Sequence, residues 1–434
     1  MTTRLLLRGG TVLALGAKAP NLAQGDVLIE DGRVAEVGRG LRARDAETVD
    51  ATDTIVMPGF VDAHRHCWRS LFRNLGSAGD PESRAASAVD ASHYRPDDVY
   101  AATLIGLLGA VEAGVTTVVD HCDLPLDDAS ADAALRAHAD AGLRTVFVVA
   151  PLEPPSRELL ERLRDAAGPR TTLAVGTSAL GAGAAGAAAA ALAGDLGLRL
   201  HVHGGLGASA PGVVAGAAAG GLLGDHVTLV HHTRVDDADL DAVSSSGAAV
   251  TLGPSSEMAG GLGAPPIQEL LDHGLRPALG IDDERVAPGD MFAQMRQTIS
   301  LQHATVFDRK LMGKAGLPRL MTTRDVIRYA TVEGARAAGL GGVVGSLEPG
   351  MHADVIALRT DRPNVWPIND PIGAVVWGMD TSNVDHVLVA GRPLVRGGAL
   401  EADVAAAREL ATAARERVAA AAGVAVGAAT GGER

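Results

Sequence analysis

Eight apolar runs alternate with stretches of helical character along the middle of the chain. The runs are IVMPGFVDAH (55–64), VTTVVDHC (115–122), RTVFVVAP (144–151), TTLAVGTS (171–178), LRLHVHG (198–204), HVTLVHHT (226–233), AAVTLGPS (248–255) and RPALGID (276–282). Helical stretches follow them, for example SRELLERLRDAAG (156–168) and PPIQELLDHG (265–274). This rhythm predicts a (β/α)8 or TIM barrel, with parallel strands buried on both faces. A doubly wound open sheet is the alternative, but no glycine-rich phosphate fingerprint follows the early strands.

Both ends of the chain have a different texture. Short apolar segments around glycine turns occur at 4–8, 11–15, 26–30 and 33–37, and they return in ADVIALRT and VDHVLVAGRPLV near the other end. This pattern is typical of short antiparallel strands. We predict three parts: a β-sandwich built from 1–56 and 355–400, a barrel over 57–354, and an Ala-rich helix with a tail over 401–434.

Charge and cysteine content narrow the class of protein. The formal net charge is -14, which would repel nucleic acid and anionic membranes, so we expect neither as a partner. Only Cys67 and Cys122 are present, too few for a disulfide framework. No apolar run approaches the ~20 residues of a membrane-spanning helix. We expect a cytoplasmic protein that acts on a small molecule.

Histidines and aspartates stand where four of the predicted strands end. They are His64 and His66, His201 and His203, His231 and His232, and Asp282 and Asp283. Active sites of (β/α)8 barrels lie at the carboxyl ends of the strands. Residues two apart on a strand share a face, so His64 and His66 point together. One such histidine is more often structural than a ligand, but four clusters in register predict a metal centre.

The order PGFVDAHxH, HxH, a histidine after an apolar run, and GxDD resembles the amidohydrolase superfamily, specifically the branch with cytosine deaminase and the triazine hydrolases. The flanking segments agree, among them GVTTVVDH, LGAPPIQELLDHGLRPALGID, PGDMFAQMR, ATVEGARAAGL and VGSLEPGMHADVIAL. The resemblance covers nearly the whole chain. It is specific for superfamily and fold, and it does not specify the substrate.

The resemblance implies that His64, His66, His203 and Asp282 are metal ligands and that His231 orients the water or the substrate. Imidazoles with a carboxylate suit zinc, with iron as the alternative, and such an ion lowers the pKa of bound water toward ~7. Asp282 would take the proton from that water, and His231 would stabilise the developing charge.

One divalent ion is expected. Two-metal members of the superfamily bridge their ions with a carboxylated lysine at the end of strand 4, but no lysine lies near TTLAVGTSAL here. Glu153 is the nearby carboxylate that could bridge a second ion. The alternative is that Glu153 is an ordinary loop residue.

One position departs from the family pattern. Relatives that deaminate heteroaromatic rings carry a glutamate three residues after the strand 5 histidine, whereas HGGL places Leu206 there. Glu257, in GPSSEMAGG, is the best substitute as a proton shuttle, and a solvated loop glutamate is the alternative. Asp283 and Glu284 are also available, although strand alternation predicts that Asp283 faces away from the barrel interior.

Several further residues have two interpretations each. Trp68 could stack on a substrate ring or pack in the core, and Arg69 and Arg73 could bind a carboxylate or lie on a solvated helix face. His121, at the end of strand 2, could contact substrate. We therefore name Trp68, Arg69 and His121 as candidate substrate-binding residues.

Three more polar residues have structural interpretations. Arg65, between the two strand 1 histidines, is expected to pair with an acid behind the sheet. His201, one layer deeper than His203, is expected in the core or behind the ligands, and His232 is expected to be structural.

Three functions remain open from sequence. The first is hydrolytic deamination of a small nitrogen heterocycle by a metal-dependent hydrolase. The second is a hydrolase that opens a cyclic amide or imide at its C–N bond, which the absent glutamate favours. The third is a non-catalytic barrel scaffold, disfavoured because every presumed ligand is present. Relatives commonly assemble, so a homo-oligomer is expected.

Overall fold

The computed structural model describes residues 4–75, 89–151, 153–178, 183–204 and 212–426. The strands in this part of the chain are β1(Arg4–Val12), β2(Leu22–Glu30), β3(Arg33–Gly38), β4(Glu47–Asp50), β5(Thr54–Pro58), β6(Phe60–Arg65), β7(Val115–Cys122), β8(Arg144–Val149), β9(Thr171–Thr177), β10(Arg199–Gly204), β11(Val227–His231), β12(Ala249–Leu252), β13(Ala278–Leu279), β14(Val355–Arg359), β15(Val384–Val389), β16(Arg392–Arg396) and β17(Ala399–Leu400).

The helices surround and connect these strands. They are α1(Pro96–Glu112), α2(Asp128–Ala141), α3(Arg157–Ala166), α4(Gly183–Leu196), α5(Val213–Ala219), α6(Asp237–Ser246), α7(Pro254–Ala259), α8(Ile267–Asp272), α9(Met291–Leu311), α10(Thr323–Tyr329), α11(Val332–Ala337), α12(Pro371–Gly373) and α13(Val404–Ala422). Short 3-10 segments cover Cys67–Phe72, Ala91–His93 and Thr381–Asn383. Among the described residues, no helix is both long and apolar enough to span a membrane.

Strands β6 to β13 form one parallel sheet in chain order. The first and last strands approach each other at the site end, where Asp282 N donates to His64 O at 2.8 Å and His66 N donates to Asp282 O at 3.0 Å. The predicted (β/α)8 barrel is therefore confirmed, and its two edges meet at predicted site residues.

The remaining strands join both ends of the chain in a second sheet. Strand β5 pairs antiparallel with β14, from Thr54 opposite Arg359 to Pro58 opposite Val355. Apolar side chains from both ends share a core, including Leu5, Val27 and Ala357. The prediction of a small β domain built from both termini is confirmed, while its boundaries at residues 56 and 355 stay predictions.

The run IVMPGFVDAH, expected to be one strand, is two. Its first half is β5 of the terminal sheet and its second half is β6 of the barrel. The break is at Gly59, where a Cβ atom would lie 2.1 Å from the Thr116 side chain. Only glycine allows the chain to pass this close to β7 while it changes sheets.

A buried ion pair ties the barrel to the terminal sheet. Arg144, at the start of β8, donates to both carboxylate oxygens of Asp354 at 2.9 and 3.1 Å. Asp354 also accepts from Ala390 N at 2.8 Å. Both charged side chains are buried, so the pair fixes the lower end of the barrel against the second domain.

Candidate active site

Four side chains converge at the carboxyl ends of the barrel strands. His64 Nε2 lies 3.1 Å from Asp282 Oδ1 and 3.3 Å from His203 Nε2. His66 Nε2 lies 3.5 Å from the same carboxylate oxygen. Donors bound tetrahedrally to one ion at about 2.1 Å are separated by about 3.4 Å. These three separations are compatible with a shared divalent ion, and the assignment of the four side chains as its ligands stays a prediction.

The orientation of His66 is set by a residue that sequence reasoning missed. His66 Nδ1 donates to Asp123 Oδ1 at 3.1 Å, which leaves the Nε2 lone pair available to a cation. Asp123 also accepts from Trp68 Nε1 and Arg69 Nη2, each at 2.6 Å. Burial alone would raise the pKa of Asp123, but Arg69 and His66 hold that pKa well below its usual range. The available signal was its position directly after β7.

His231 and Glu257 form a buried pair beside the candidate ligands. His231 Nδ1 donates to Glu257 Oε1 at 3.0 Å, and His231 Nε2 lies 3.8 Å from Asp282 Oδ2. Glu257 lies in α7 and has 0% of its surface exposed. The alternative of a solvated loop glutamate is therefore wrong, because the loop after β12 folds back over the barrel mouth.

The pKa values of these groups follow from burial and from their neighbours. Burial alone would lower the pKa of His231, but the carboxylates of Asp282 and Glu257 raise it. Burial raises the pKa of Glu257, with His231 opposing. Burial would also raise the pKa of Asp282, but His231, His66 and Arg69 lower it. These shifts favour a proton on the His231 and Glu257 pair and the ionised form of Asp282.

Left-handed backbone occurs at the two strand ends that carry His231 and Asp282. Their φ angles are 70° and 65°, a conformation that is costly for residues other than glycine and is typical of functional sites. Strand alternation stops at Asp282. The Asp283 carboxylate accepts from Arg69 Nη1 at 3.0 Å, and its predicted outward direction stays a prediction.

Trp68 and Arg69 lie in the 3-10 segment after β6. Trp68 is 6% exposed and packs edge-on against Tyr94 with ring centroids 5.2 Å apart. The Arg69 guanidinium lies 5.1 Å from the Trp68 ring and is shared between Asp123 and Asp283. Both side chains border the ligand cluster, and their roles in substrate binding stay predictions.

Arg65 points away from the ligands into an acidic cluster, as expected. Its Nε donates to Asp62 at 2.6 Å, and Nη1 lies 3.2 Å from Glu284 Oε1. Glu284 also accepts from Arg73 at 2.9 Å and from Ser70 at 2.6 Å. Glu284 and Arg73 therefore belong to a structural network of ion pairs around Arg65.

The other histidines lie deeper in the barrel. His121 and His201 are each 0% exposed, with ring centroids 5.1 Å apart, and neither has a hydrogen-bond partner among the described residues. The His121 ring lies 4.3 Å from that of His64. His232 Nδ1 donates to Val230 O at 3.0 Å, consistent with its expected structural role.

Glu153 and Leu206 are the last two positions that the sequence singles out. Glu153 is exposed in the segment after β8, and its role as a bridge to a second ion stays a prediction. Leu206 lies outside the described residues, so the replaced glutamate position has no structural description.

Sequence comparison identifies the family over most of the chain. The profile of the amidohydrolase family matches residues 55–394, which include every candidate ligand. The chain belongs to the amidohydrolase family. The resemblance drawn from its motifs is confirmed, and with it the expectation of an enzyme that hydrolyses carbon–nitrogen bonds.

Similar proteins span nearly the full length of this amidohydrolase. The 5'-deoxyadenosine deaminase of Methanothermobacter thermautotrophicus is 29% identical over 435 residues, covering 92% of this chain and 94% of that protein. The structure of an adenosine deaminase from Xanthomonas campestris with bound zinc superimposes with a TM-score of 0.83 at 22% identity, covering 96% and 99% of the two chains. Atrazine chlorohydrolase from Arthrobacter aurescens, complexed with zinc, gives a TM-score of 0.77 at 22% identity, with 95% and 100% coverage. The structural likenesses confirm the fold.

Proposed function

We propose that this amidohydrolase deaminates an aminopurine nucleoside or a closely similar nitrogen heterocycle, replacing an exocyclic amino group with oxygen from water. The observation that carries the proposal is the convergence of His64, His66, His203 and Asp282 beside a buried His231 and Glu257 pair. The first group would hold one divalent ion, which when bound supplies Lewis acidity and activates water. The second group can move protons.

Asp282 and His231 are placed to share the protons of the attacking water. Asp282 is ionised in the free protein, and its Oδ2 lies 3.8 Å from His231 Nε2. A carboxylate at this point can accept a proton from water. His231 Nε2 faces the same space and can stabilise charge that develops on the substrate.

We propose that Glu257 takes the role of the glutamate that relatives carry at the position of Leu206. It does not approach the ligands directly, since its Oε1 is bound to His231 Nδ1 and to Gly253 N. It therefore acts through His231, as the aspartate of a catalytic triad orients its histidine and stabilises the charged ring. In this arrangement His231 donates a proton to the ring nitrogen or to the leaving amine.

The substrate class rests on the relatives. A 5'-deoxyadenosine deaminase covers nearly the same length as this chain, and an adenosine deaminase has the same fold. An adenine base is flat and carries one exocyclic amine, which suits attack at an sp² carbon. Together these points support an aminopurine over a triazine.

Three finer properties are proposed with this function. Zinc is the proposed ion, supported by the zinc-bound structures of similar fold, with ferrous iron as the alternative. A cytoplasmic location and a homo-oligomeric state complete the proposal.

Ammonia release tests the proposal. Zinc-loaded protein is assayed against adenosine, 5'-substituted adenosines, aminopyrimidines, pterins and triazines, with Asp282→Asn as the blank. We expect ammonia from at least one adenosine, and no signal from the variant. If metal-replete protein releases no ammonia from any member of the panel, deamination is the wrong reaction.

A second candidate is ring opening of a cyclic amide or imide. It is favoured by Leu206 alone, since that reaction needs no glutamate shuttle and His231 could protonate the departing ring nitrogen. Acid released from dihydropyrimidines or hydantoins by the same preparation, in the absence of ammonia, would establish this reaction instead.

A further inference from the structure

His121 is buried in a way that neither the fold nor the proposed chemistry explains. It ends β7 with 0% of its surface exposed, and both ring nitrogens lack a hydrogen-bond partner in the described part of the chain. Buried polar atoms without a partner are rare, and each calls for a water, an ion or a functional role. The neighbouring Asp120 carboxylate does not bond to His121, because it accepts from His138 and from the backbone N–H of Cys67.

The surroundings of His121 are other imidazoles. Its ring centroid lies 4.3 Å from that of His64, 4.9 Å from that of His203 and 5.1 Å from that of His201. No carboxylate pairs with it among the described residues. Neutral imidazoles offer lone pairs, so the group that such a cluster lacks is a cation.

Two groups of side chains could each hold a metal ion, and both include His64. One is His64, His66 and Asp282, and the other is His64, His121 and His203, each with candidate ligand atoms within 4.8 Å of one another. His64 belongs to both groups, and its Nε2 lies 3.3 Å from His203 Nε2. His121 offers a ligand atom within 4.8 Å of those of His64 and His203, so an ion held by these two histidines would lie beside His121.

We propose that His121 is a further protein ligand of that ion, which would then be held by four imidazoles and one carboxylate. This inference rests on the metal centre of the proposed function and adds a ligand from a strand not assigned to it. It replaces the substrate contact that the sequence suggested for His121. The ring of His201 packs edge-on against that of His121.

Cobalt substitution tests the proposal independently of turnover. The visible absorption per Co(II) ion rises when the ion loses a ligand, so it reports coordination number without any substrate. We expect His121→Asn to bind Co(II) with a stronger and shifted visible band, and with affinity weakened at least tenfold, the lower end of the loss seen when groups behind the ligands are removed. His121→Gln, closer in volume to histidine, serves as a second variant, and circular dichroism verifies that each is folded.

The control is His232→Asn, the same change at a buried histidine that binds a backbone carbonyl near the same end of the barrel. Its cobalt spectrum and affinity should match the parent protein. If the parent binds one Co(II) and both His121 variants give its spectrum and affinity, His121 is not a ligand, while the proposed metal centre stands. If the parent itself binds no Co(II), or if His64→Ala retains it, both the centre and this inference fail.

Discussion

Glu257 is the residue on which proton transfer depends in the proposed reaction. Its carboxylate contacts His231 and a backbone amide, and no candidate ligand. We expect Glu257→Gln to lower kcat by roughly 100-fold to 10,000-fold, the usual contribution of general acid–base catalysis. KM should change little, because the side chain lies behind His231. Steady-state kinetics, with metal content measured by atomic absorption, would check both expectations.

Glu153→Gln is the matched control for that substitution. Glu153 is exposed at the same end of the barrel, so the change should leave kcat and a stoichiometry of one metal per chain unaltered. A Glu257→Gln enzyme with the parent's kcat would show that His231 does not depend on Glu257 for proton transfer.

Asp123 fixes the tautomer of His66 and holds Trp68 and Arg69. We expect Asp123→Asn to weaken metal binding about 10-fold to 100-fold, because an amide cannot stabilise the Nδ1 proton as a carboxylate does. Competition with a chelating dye measures this affinity. Asp128→Asn, at an exposed acid on α2, is the control, and equal affinities in the two variants would contradict the assigned role.

These two acids show what sequence reasoning could reach. The sequence indicates Glu257 as a candidate because its loop follows a barrel strand, but its burial depends on how α7 folds over the mouth, which no local pattern encodes. Asp123 is not among the predicted site residues, although it directly follows β7. Its role requires the 3-10 segment of Trp68 to return toward that strand, a contact between distant parts of the chain.

At the scale of elements, the last barrel strand passes unusually close to the first. A Cβ atom at Gly280 would lie 2.8 Å from the Cβ, N and O atoms of His64. We expect Gly280→Ala to destabilise the protein by about 2 kcal/mol, within the range for overpacked sites, and to reduce metal retention by displacing His64. Chemical denaturation and metal analysis measure the two effects.

Gly216→Ala provides the comparison, because nothing lies within 4 Å of a Cβ atom there. This position is within α5, where alanine is favoured over glycine. The Gly216→Ala variant should be as stable as the parent or slightly more stable. Parent-like stability of Gly280→Ala would mean that the two strands can separate without cost.

Most elements could be predicted because their apolar runs are bounded by clear turn residues. Strand β7 matches VTTVVDHC throughout, and α3 lies within the stretch predicted as helical. The division of IVMPGFVDAH between two sheets falls at Pro58–Gly59, a dipeptide typical of turns, but the sequence does not show that the chain enters a second sheet there. The reason for the break is a distant side chain, Thr116, pressed against Gly59.

At the scale of the molecule, the Arg144 and Asp354 pair couples the two domains. We expect Asp354→Asn to lower the free energy of unfolding by about 3 kcal/mol, since it leaves a buried guanidinium without its counter-charge. Denaturant titration followed by circular dichroism measures the change. Asp361→Asn removes the partner of exposed Arg359 and should leave the free energy of unfolding nearly unchanged, because exposed ion pairs contribute little. Similar losses in both variants would contradict the coupling.

The two barrel edges meet through Asp282, whose backbone bonds both His64 O and His66 N. His64 and Asp282 are 218 residues apart, and bringing such distant segments together carries a loop-closure cost that slows folding. During synthesis, a ribosome must therefore release the eighth barrel strand before the seam can close or the carboxylate can join the histidines. The full set of predicted ligands is therefore assembled only once the eighth strand has joined the first.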